Sequence, residues 1–372
     1  MRPGPGQTVA GRYQVTDGPE PSAAHGDDRY ALDGRTGRRV LLEGLDLPEV
    51  VVADFYRADQ AITGRWLDPE GIVAEVAAAI ASCPEHPRLR QAYEVVAQDG
   101  TVWISGELPA AVPLAQLLSD GRLAPFRVAE LAADLAGALR AVHTAGRVHG
   151  NLGIDQVLVC EDGAALLGGH ALGVAQEALA RALGGSDGRR WTDARTGQAG
   201  VRAERWPPEL LGAPGVAEQP ADCWALGVLL FRLLTGYGPF PEQSPTALFA
   251  AVRAGRPAST EGCGPLRPLV DQLLAADPAK RPDAKAIRVW LTELLATAPE
   301  PYRPDEEASS LPVLRPARPL SVRRRTTAEV VAPEHTAKHA RSGPAAPSPV
   351  LLVGGVLTAM LLALAAVVLL GG

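Results

Sequence analysis

The sequence predicts a two-lobed α+β domain joined through a polar linker to one membrane-spanning helix. Three observations carry that expectation. Short segments with period-two alternation, separated by Gly- and Asp-rich turns, fill roughly the first hundred residues. Apolar residues at helical spacing dominate from about residue 125 to 297. Val350 to Leu370 then forms a run of 21 residues without a charge. No repeat at a period of about 20 to 50 residues is visible, which argues against a solenoid and for layers packed around a core.

The elements follow in order. Residues 1–9 read as an N-terminal tail and residues 10–297 as the folded body, with a sheet lobe over about 10–108 and a helical lobe over about 109–297. Strands are predicted at Tyr13–Thr16, Arg29–Leu32, Arg39–Leu42, Tyr93–Ala97 and Thr101–Ser105, broken by turns such as Leu32-Asp33-Gly34 and Gln98-Asp99-Gly100. Val128, Leu131, Leu135, Leu139 and Val142 recur on one face of a helix, as do Leu226, Leu229, Leu230, Leu233 and Leu234. A last helix is expected at Ala284–Ala296.

Residues 298–349 read as a Pro/Arg-rich tether, since residues 299–349 carry ten prolines and little periodicity. At about 1.5 Å per residue the 350–370 run is long enough for a bilayer core of about 30 Å. Residues 315–341 ahead of it hold seven basic residues (Arg315, Arg318, Arg323, Arg324, Arg325, Lys338, Arg341) against Glu329 and Glu334. That excess predicts a single-pass protein of the cell membrane, with a cytoplasmic body and the C-terminus outside. The opening residues lack the apolar stretch of a secretory signal. Thr326 and Thr327 follow three arginines in the tether, so they are candidate phosphosites whose modification would weaken attraction to anionic lipid.

Composition excludes further classes. The net charge is −6 over 372 residues, which is not the basic footprint of a nucleic-acid binder. Three of the 36 basic residues are lysines (Lys280, Lys285, Lys338), so no mechanism can use a lysine before position 280. Together with abundant Ala, Gly and Pro, this arginine bias suggests a high-GC bacterium. Cys83, Cys160, Cys223 and Cys263 show no metal-type spacing and read as reduced, isolated thiols.

Several segments, in order, resemble a bacterial serine/threonine protein kinase across almost the whole body. Asp222-Cys-Trp-Ala-Leu-Gly227 through Leu-Leu-Thr-Gly236 is similar to the family's central helix. Trp206-Pro-Pro-Glu209 resembles its APE motif, and Asp277-Pro-Ala-Lys-Arg281-Pro its DPxxRP; in the family these positions form a buried Glu–Arg pair. His143-Thr-Ala-Gly-Arg-Val-His149 resembles the approach to the catalytic loop. The resemblance thus implies a bilobal fold in which His149, Glu209, Asp222, Gly227 and Arg281 are structural.

At the positions the family uses for chemistry the chain departs from it. The family's HRDLKPxN is His149-Gly150-Asn151-Leu152-Gly153-Ile154-Asp155-Gln156 here, so Asn151 stands for the catalytic carboxylate and Gln156 for the metal-binding asparagine. An amide cannot accept a proton near neutral pH. Asp155, next in the loop, is expected to point elsewhere. The metal-binding DFG falls on Gly169-His170-Ala171, which lacks the carboxylate on which a magnesium site relies, and His170 reads as a packing residue. Glu43 takes the place of the third-strand lysine, an inverted charge beside a phosphate, while Arg38 and Arg39 read as solvated turn residues and Glu75 as a helix glutamate left without a lysine. Between Val15 and Tyr30, where a glycine-rich loop should lie, Pro19, Glu20, Pro21 and Asp27 act against a phosphate cradle.

The pattern implies a pseudokinase with no cofactor and no functional catalytic residue. It would act as scaffold or regulator toward a protein partner: a true kinase, a phosphopeptide-binding protein or a cell-envelope protein. The sequence leaves two alternatives. One is an active but divergent kinase using ATP and magnesium; the other is a non-catalytic ATP sensor binding adenine near Glu107 and Leu108. Thr192 and Thr196 lie in the activation-segment analogue, with Gly150 in place of the arginine that would read a phosphate there.

Overall fold

A computed structural model describes residues 3–17, 28–48, 51–54, 63–118, 121–185, 188–212 and 217–298. The chain divides into Met1–Val322 and Arg323–Gly372, and every described residue belongs to the first unit. The glycine-rich-loop segment, the tether with Thr326 and Thr327, and the 350–370 run lie outside the described residues. Among the described residues no helix is long and apolar enough to cross a membrane.

The sheet lobe holds β1 (Thr8–Val9), β2 (Tyr13–Thr16), β3 (Arg29–Asp33), β4 (Arg39–Asp46), β5 (Val51–Asp54), β6 (Thr63–Trp66), α1 (Pro69–Ser82), β7 (Ala92–Gln98) and β8 (Thr101–Glu107). Six strands form one antiparallel sheet in the order β1-β2-β3-β4-β8-β7, and β5 pairs with β6 separately. Asp99 and Gly100 both take positive φ, as a two-residue hairpin turn between β7 and β8 demands. Helix α1 starts at Asp68, whose side chain accepts from the Glu70 amide, and buries Ile72, Val76 and Ala79.

The strands expected at Arg29–Leu32, Tyr93–Ala97 and Thr101–Ser105 run one or two residues longer, as β3, β7 and β8, and two further differences are larger. Thr8–Val9, placed in the tail, pair with β2 because Val9 is a core residue packed with Tyr13, Val15 and Leu42. β4 runs on to Asp46, held by β8 through the pairs Glu43 with Ile104 and Asp46 with Thr101.

The helical lobe contains β9 (Ala111–Pro113), α2 (Leu114–Leu117), α3 (Pro125–Thr144), β10 (Val157–Cys160), β11 (Ala165–Leu167), α4 (His170–Gly184), α5 (Gly188–Ala199), α6 (Pro208–Gly212), α7 (Gln219–Thr235), α8 (Pro245–Arg253), α9 (Arg267–Leu273) and α10 (Ala284–Ala296). Its largest cluster surrounds α7, which is buried on nearly all sides through Trp224, Leu226, Leu230, Phe231 and Leu233. Such an all-round apolar helix can only be the centre of a lobe. Gly227 lets α9 approach: a Cβ there would lie 2.7 Å from the Leu273 Cβ.

Helices α4 and α5 occupy the activation-segment analogue. Leu172, Ala175, Ala178 and Leu179 give α4 an apolar face, and Gly184 allows its end to pass close to the Trp191 backbone.

Gly227→Ala should lower stability by about 1–3 kcal/mol, the usual cost of overpacking a closed core. Scanning calorimetry reads this as a Tm lowered by several degrees; an unchanged Tm would contradict the close packing of α7 on α9.

Candidate functional site

The loop after α3 is fixed from below by Asp222. Its Oδ1 accepts from the Gly150 amide at 2.8 Å, and its Oδ2 accepts from the His149 amide and from His143 Nε2, both at 2.8 Å. Burial pushes this carboxyl up, but the His143 hydrogen bond, the neighbouring imidazoles and the amide donors outweigh it, so Asp222 is held below its ordinary range. Gly150 takes φ 71° to aim its amide downwards, a backbone in which a side chain is strained. His149 is enclosed, and its ring lies 5.5 Å from that of His170, tilted by 40°. Burial, with His170 alongside, pushes its pKa down to about 3. His170 Nδ1 donates to the His149 carbonyl at 3.3 Å, which gives that side chain a packing place.

The catalytic-loop amides are engaged inside the protein. Asn151 Nδ2 donates to the Gly169 carbonyl at 2.8 Å, tying the loop to the start of α4. Gly169 has φ 77°, and a Cβ there would lie 1.8 Å from Gln156 Oε1 and 3.0 Å from Asn151 Nδ2. An aspartate therefore cannot stand at position 169 unless Gln156 leaves. Asp155 turns aside: its Oδ2 lies 3.9 Å from Arg205 Nη1 and accepts from Gln156 Nε2 at 3.4 Å.

Glu43 has a cation that the sequence did not reveal. Arg90 Nη2 donates to Glu43 Oε1 at 2.5 Å, and both side chains are 8% exposed. The Arg90 guanidinium also covers Gly168, where a Cβ would lie 2.6 Å from its Nε. Glu43 is thus paired, and the inverted charge expected to face a phosphate faces an arginine from the chain itself. Arg38 and Arg39 are exposed, as solvated turn residues should be. Glu75 does have a partner; it pairs with Arg181 of α4 on the surface instead of facing β4.

Helix α4 packs against the sheet lobe beside these residues. Ala171, Leu172, Ala175, Ala178 and Leu179 pack with Ile72 and Val76 of α1, Val95 of β7, and Val102 and Ile104 of β8. Gly173 rests on the catalytic loop, where a Cβ would lie 2.6 Å from the Asn151 Cβ. The hairpin to α5 is pinned by Glu177, which accepts from Arg195 Nε at 2.9 Å, Arg195 Nη2 at 2.7 Å and Trp191 Nε1 at 2.8 Å. Thr192 is buried in it. Glu43, Ile80, Cys83, Arg90, Gln91, Gly169 and His170 line a cavity of about 10 Å³, room for at most about one water. Two amides, a carboxylate already paired with arginine and a row of glycines do not fit a triphosphate with magnesium.

Further from the cleft, Arg281 places all five of its N–H groups: two on Glu209 at 2.6 and 2.9 Å, and the others on the carbonyls of Ala275, Ala276 and Pro220. The pair is less buried than expected, since Arg281 is fully enclosed but Glu209 is 34% exposed. The guanidinium also lies 5.1 Å from the Trp224 ring centroid, which adds a cation–π contact.

Arg90 is the site residue that sequence reasoning missed, because a partner 47 positions from Glu43 leaves no local signal. α4 did leave one: the apolar face formed by Leu172, Ala175 and Leu179 has helical spacing.

Two outcomes test this geometry. Asn151→Asp places two acceptors where the structure has a donor and an acceptor, so stability should fall by about 1–3 kcal/mol in urea unfolding; no change would remove the loop-to-α4 bond from the account. His149 is neutral when folded down to about pH 3, whereas unfolded it protonates near pH 6.5. The unfolded state then binds more protons as pH falls, so His149 makes folding lose about 1.4 kcal/mol per pH unit below about 6. His149→Gln should flatten the stability profile between about pH 6 and 4; an identical slope in both proteins would contradict the buried neutral imidazole.

Comparison with known proteins accords with the fold. A family model described as protein tyrosine and serine/threonine kinase matches residues 69–291. A putative serine/threonine-protein kinase of Saccharomyces cerevisiae is 26% identical over 206 residues, covering 55% of this chain and 21% of the yeast protein. CBL-interacting serine/threonine-protein kinase 26 of Arabidopsis thaliana is 28% identical over 228 residues, covering 61% of this chain and 46% of the plant protein. Tribbles homolog 3 of Bos taurus is 40% identical over 90 residues, covering 23% of this chain and 25% of the bovine protein. The chain therefore spans less than half the length of each of these relatives. With a sheet lobe, a helical lobe and a family match that runs from α1 into α10, the chain belongs to the protein tyrosine and serine/threonine kinase family.

Proposed function

We propose that this kinase-family chain is a bacterial, membrane-anchored pseudokinase that binds proteins and does not transfer phosphate. Residues 350–370 would hold it in the cell membrane with the body in the cytoplasm. It would serve as scaffold or regulator beside a true kinase, a phosphopeptide-binding protein or a cell-envelope complex. The observation that carries the reading is the engagement of the catalytic positions by the chain's own groups: the Glu43–Arg90 pair, Gln156 against Gly169, and α4 packed on α1, β7 and β8.

The energetics point the same way. Phosphoryl transfer needs a carboxylate near the hydroxyl and cations on the phosphates. Asn151 and Gln156 supply neither, and Arg90 is neutralised. Moving α4 out would expose Leu172 and Leu179, at about 1.5–3 kcal/mol each, or about 3–6 kcal/mol together. That alone reduces the apparent affinity of any nucleotide needing the open cleft by roughly 10²- to 10⁴-fold.

One observation favours the active-kinase alternative. Arg205 Nη1 would lie 3.7 Å from a Cβ at Gly153, the position of the family's phosphate-facing lysine, so a cation is present close to it. Its nearby carboxylate is Asp155, and both side chains are buried.

Thermal unfolding of the full chain in detergent with millimolar ATP, alone and with Mg²⁺ or Mn²⁺, tests the proposal. The expected result is no shift in Tm. A metal-dependent rise, followed by phosphate incorporation that is lost in Asp155→Ala, would overturn it in favour of an enzyme.

A further inference from the structure

A second feature of the fold lies away from the cleft, in the groove between α3 and α10. It has a volume of about 430 Å³ and is lined by Arg140, Lys285, Arg288, Val289, Thr292 and Glu293. Three of the six are cations and one is an acid. None of the three cations has an ion-pair partner among the described residues, whereas Arg12, Arg88, Arg90, Arg127, Arg181, Arg195, Arg205, Arg232, Arg267 and Arg281 all face carboxylates. The crowding of like charge is felt by a neighbour: burial first, then Arg288, Arg88 and Arg140, hold His86 below its ordinary range. Val289, in the same groove, is 52% exposed.

Uncompensated cations in a groove this size call for an anion, and the chain carries one at the right distance. Residues 300–307 hold Glu300, Asp305, Glu306 and Glu307 against a single base, Arg303. α10 ends at Ala296, and Asp305 follows nine residues later. Nine residues extend to about 30 Å, while the eleven helical residues back from Ala296 to Lys285 span about 16 Å. The acidic run can therefore reach every cation in the groove. A segment joined this closely is present at an effective concentration in the millimolar range, so weak ion pairs suffice to seat it.

The geometry points to an intramolecular docking site: the acidic run Asp305-Glu306-Glu307 folds back along α10 into the Arg140–Lys285–Arg288 groove. This anchors the start of the 298–349 stretch on the helical lobe. It does not depend on the loss of catalysis.

Disulfide trapping in the full chain tests the site, with Thr292→Cys in the groove and Ala308→Cys beside the acidic run. The cross-link should form rapidly under mild oxidation. Its rate should fall about tenfold when Arg140, Lys285 and Arg288 become glutamates, fall equally when Asp305, Glu306 and Glu307 become lysines, and recover when both sets are combined. The lysine variants leave the body's residues unchanged, so a loss there is not a defect of folding. A rate indifferent to either reversal overturns the proposal, because the cysteines then meet by chance collision. Amide-exchange protection of residues 285–293 that persists with lysines at 305–307 also overturns it, and assigns the groove to an acidic segment of another chain.

Discussion

A carboxylate enclosed in protein stays charged only if donors fill its lone pairs, and Asp222 has three of them: two loop amides and one imidazole. This arrangement connects the centre of the helical lobe to the loop at the cleft. With α7 packed on nearly all sides, Asp222 is held in place, and it holds the backbone of His149 and Gly150 through their amides. The loop's shape therefore comes from α7 and not from the side chains it displays. That independence lets Asn151, Gly153 and Gln156 stand where the family has charged or metal-binding groups while the loop keeps its path.

The same economy governs charge at the cleft. A kinase cleft needs an excess of positive charge that a nucleotide completes. Here the charges are completed internally: Glu43 by Arg90, Asp155 with Arg205 nearby, and Glu177 by Arg195. Each substitution is intelligible only with its neighbour. Glycine at 169 is demanded by Gln156, the amide of Asn151 by the Gly169 carbonyl, and the acid at 43 by an arginine covering Gly168. Removing one member leaves a buried group unmatched, which is why the set behaves as a unit.

What the sequence made legible follows from how local each constraint is. Asp222, Gly227 and the Glu209–Arg281 pair could be read because each belongs to a motif with its own helix or loop. The hairpin turn at Asp99-Gly100 was legible from two residues. Arg90 was not, because its pairing with Glu43 depends on how β4 and the approach to β7 are brought together. Val9 was hidden by the short strand that carries it. α4 lay open in its periodicity, yet it was not read as a helix, because its segment was read through the motifs on either side of it.

The pseudokinase reading requires α4 to be a permanent part of the core and not a lid over a nucleotide site. Amide hydrogen exchange of residues 170–184 in the full chain, with and without saturating ATP and Mg²⁺, tests it most directly. If the claim holds, the α4 amides exchange as slowly as those of α7 and nucleotide changes nothing. Fast exchange of α4 alone, or protection that shifts when ATP and Mg²⁺ are added, would contradict it.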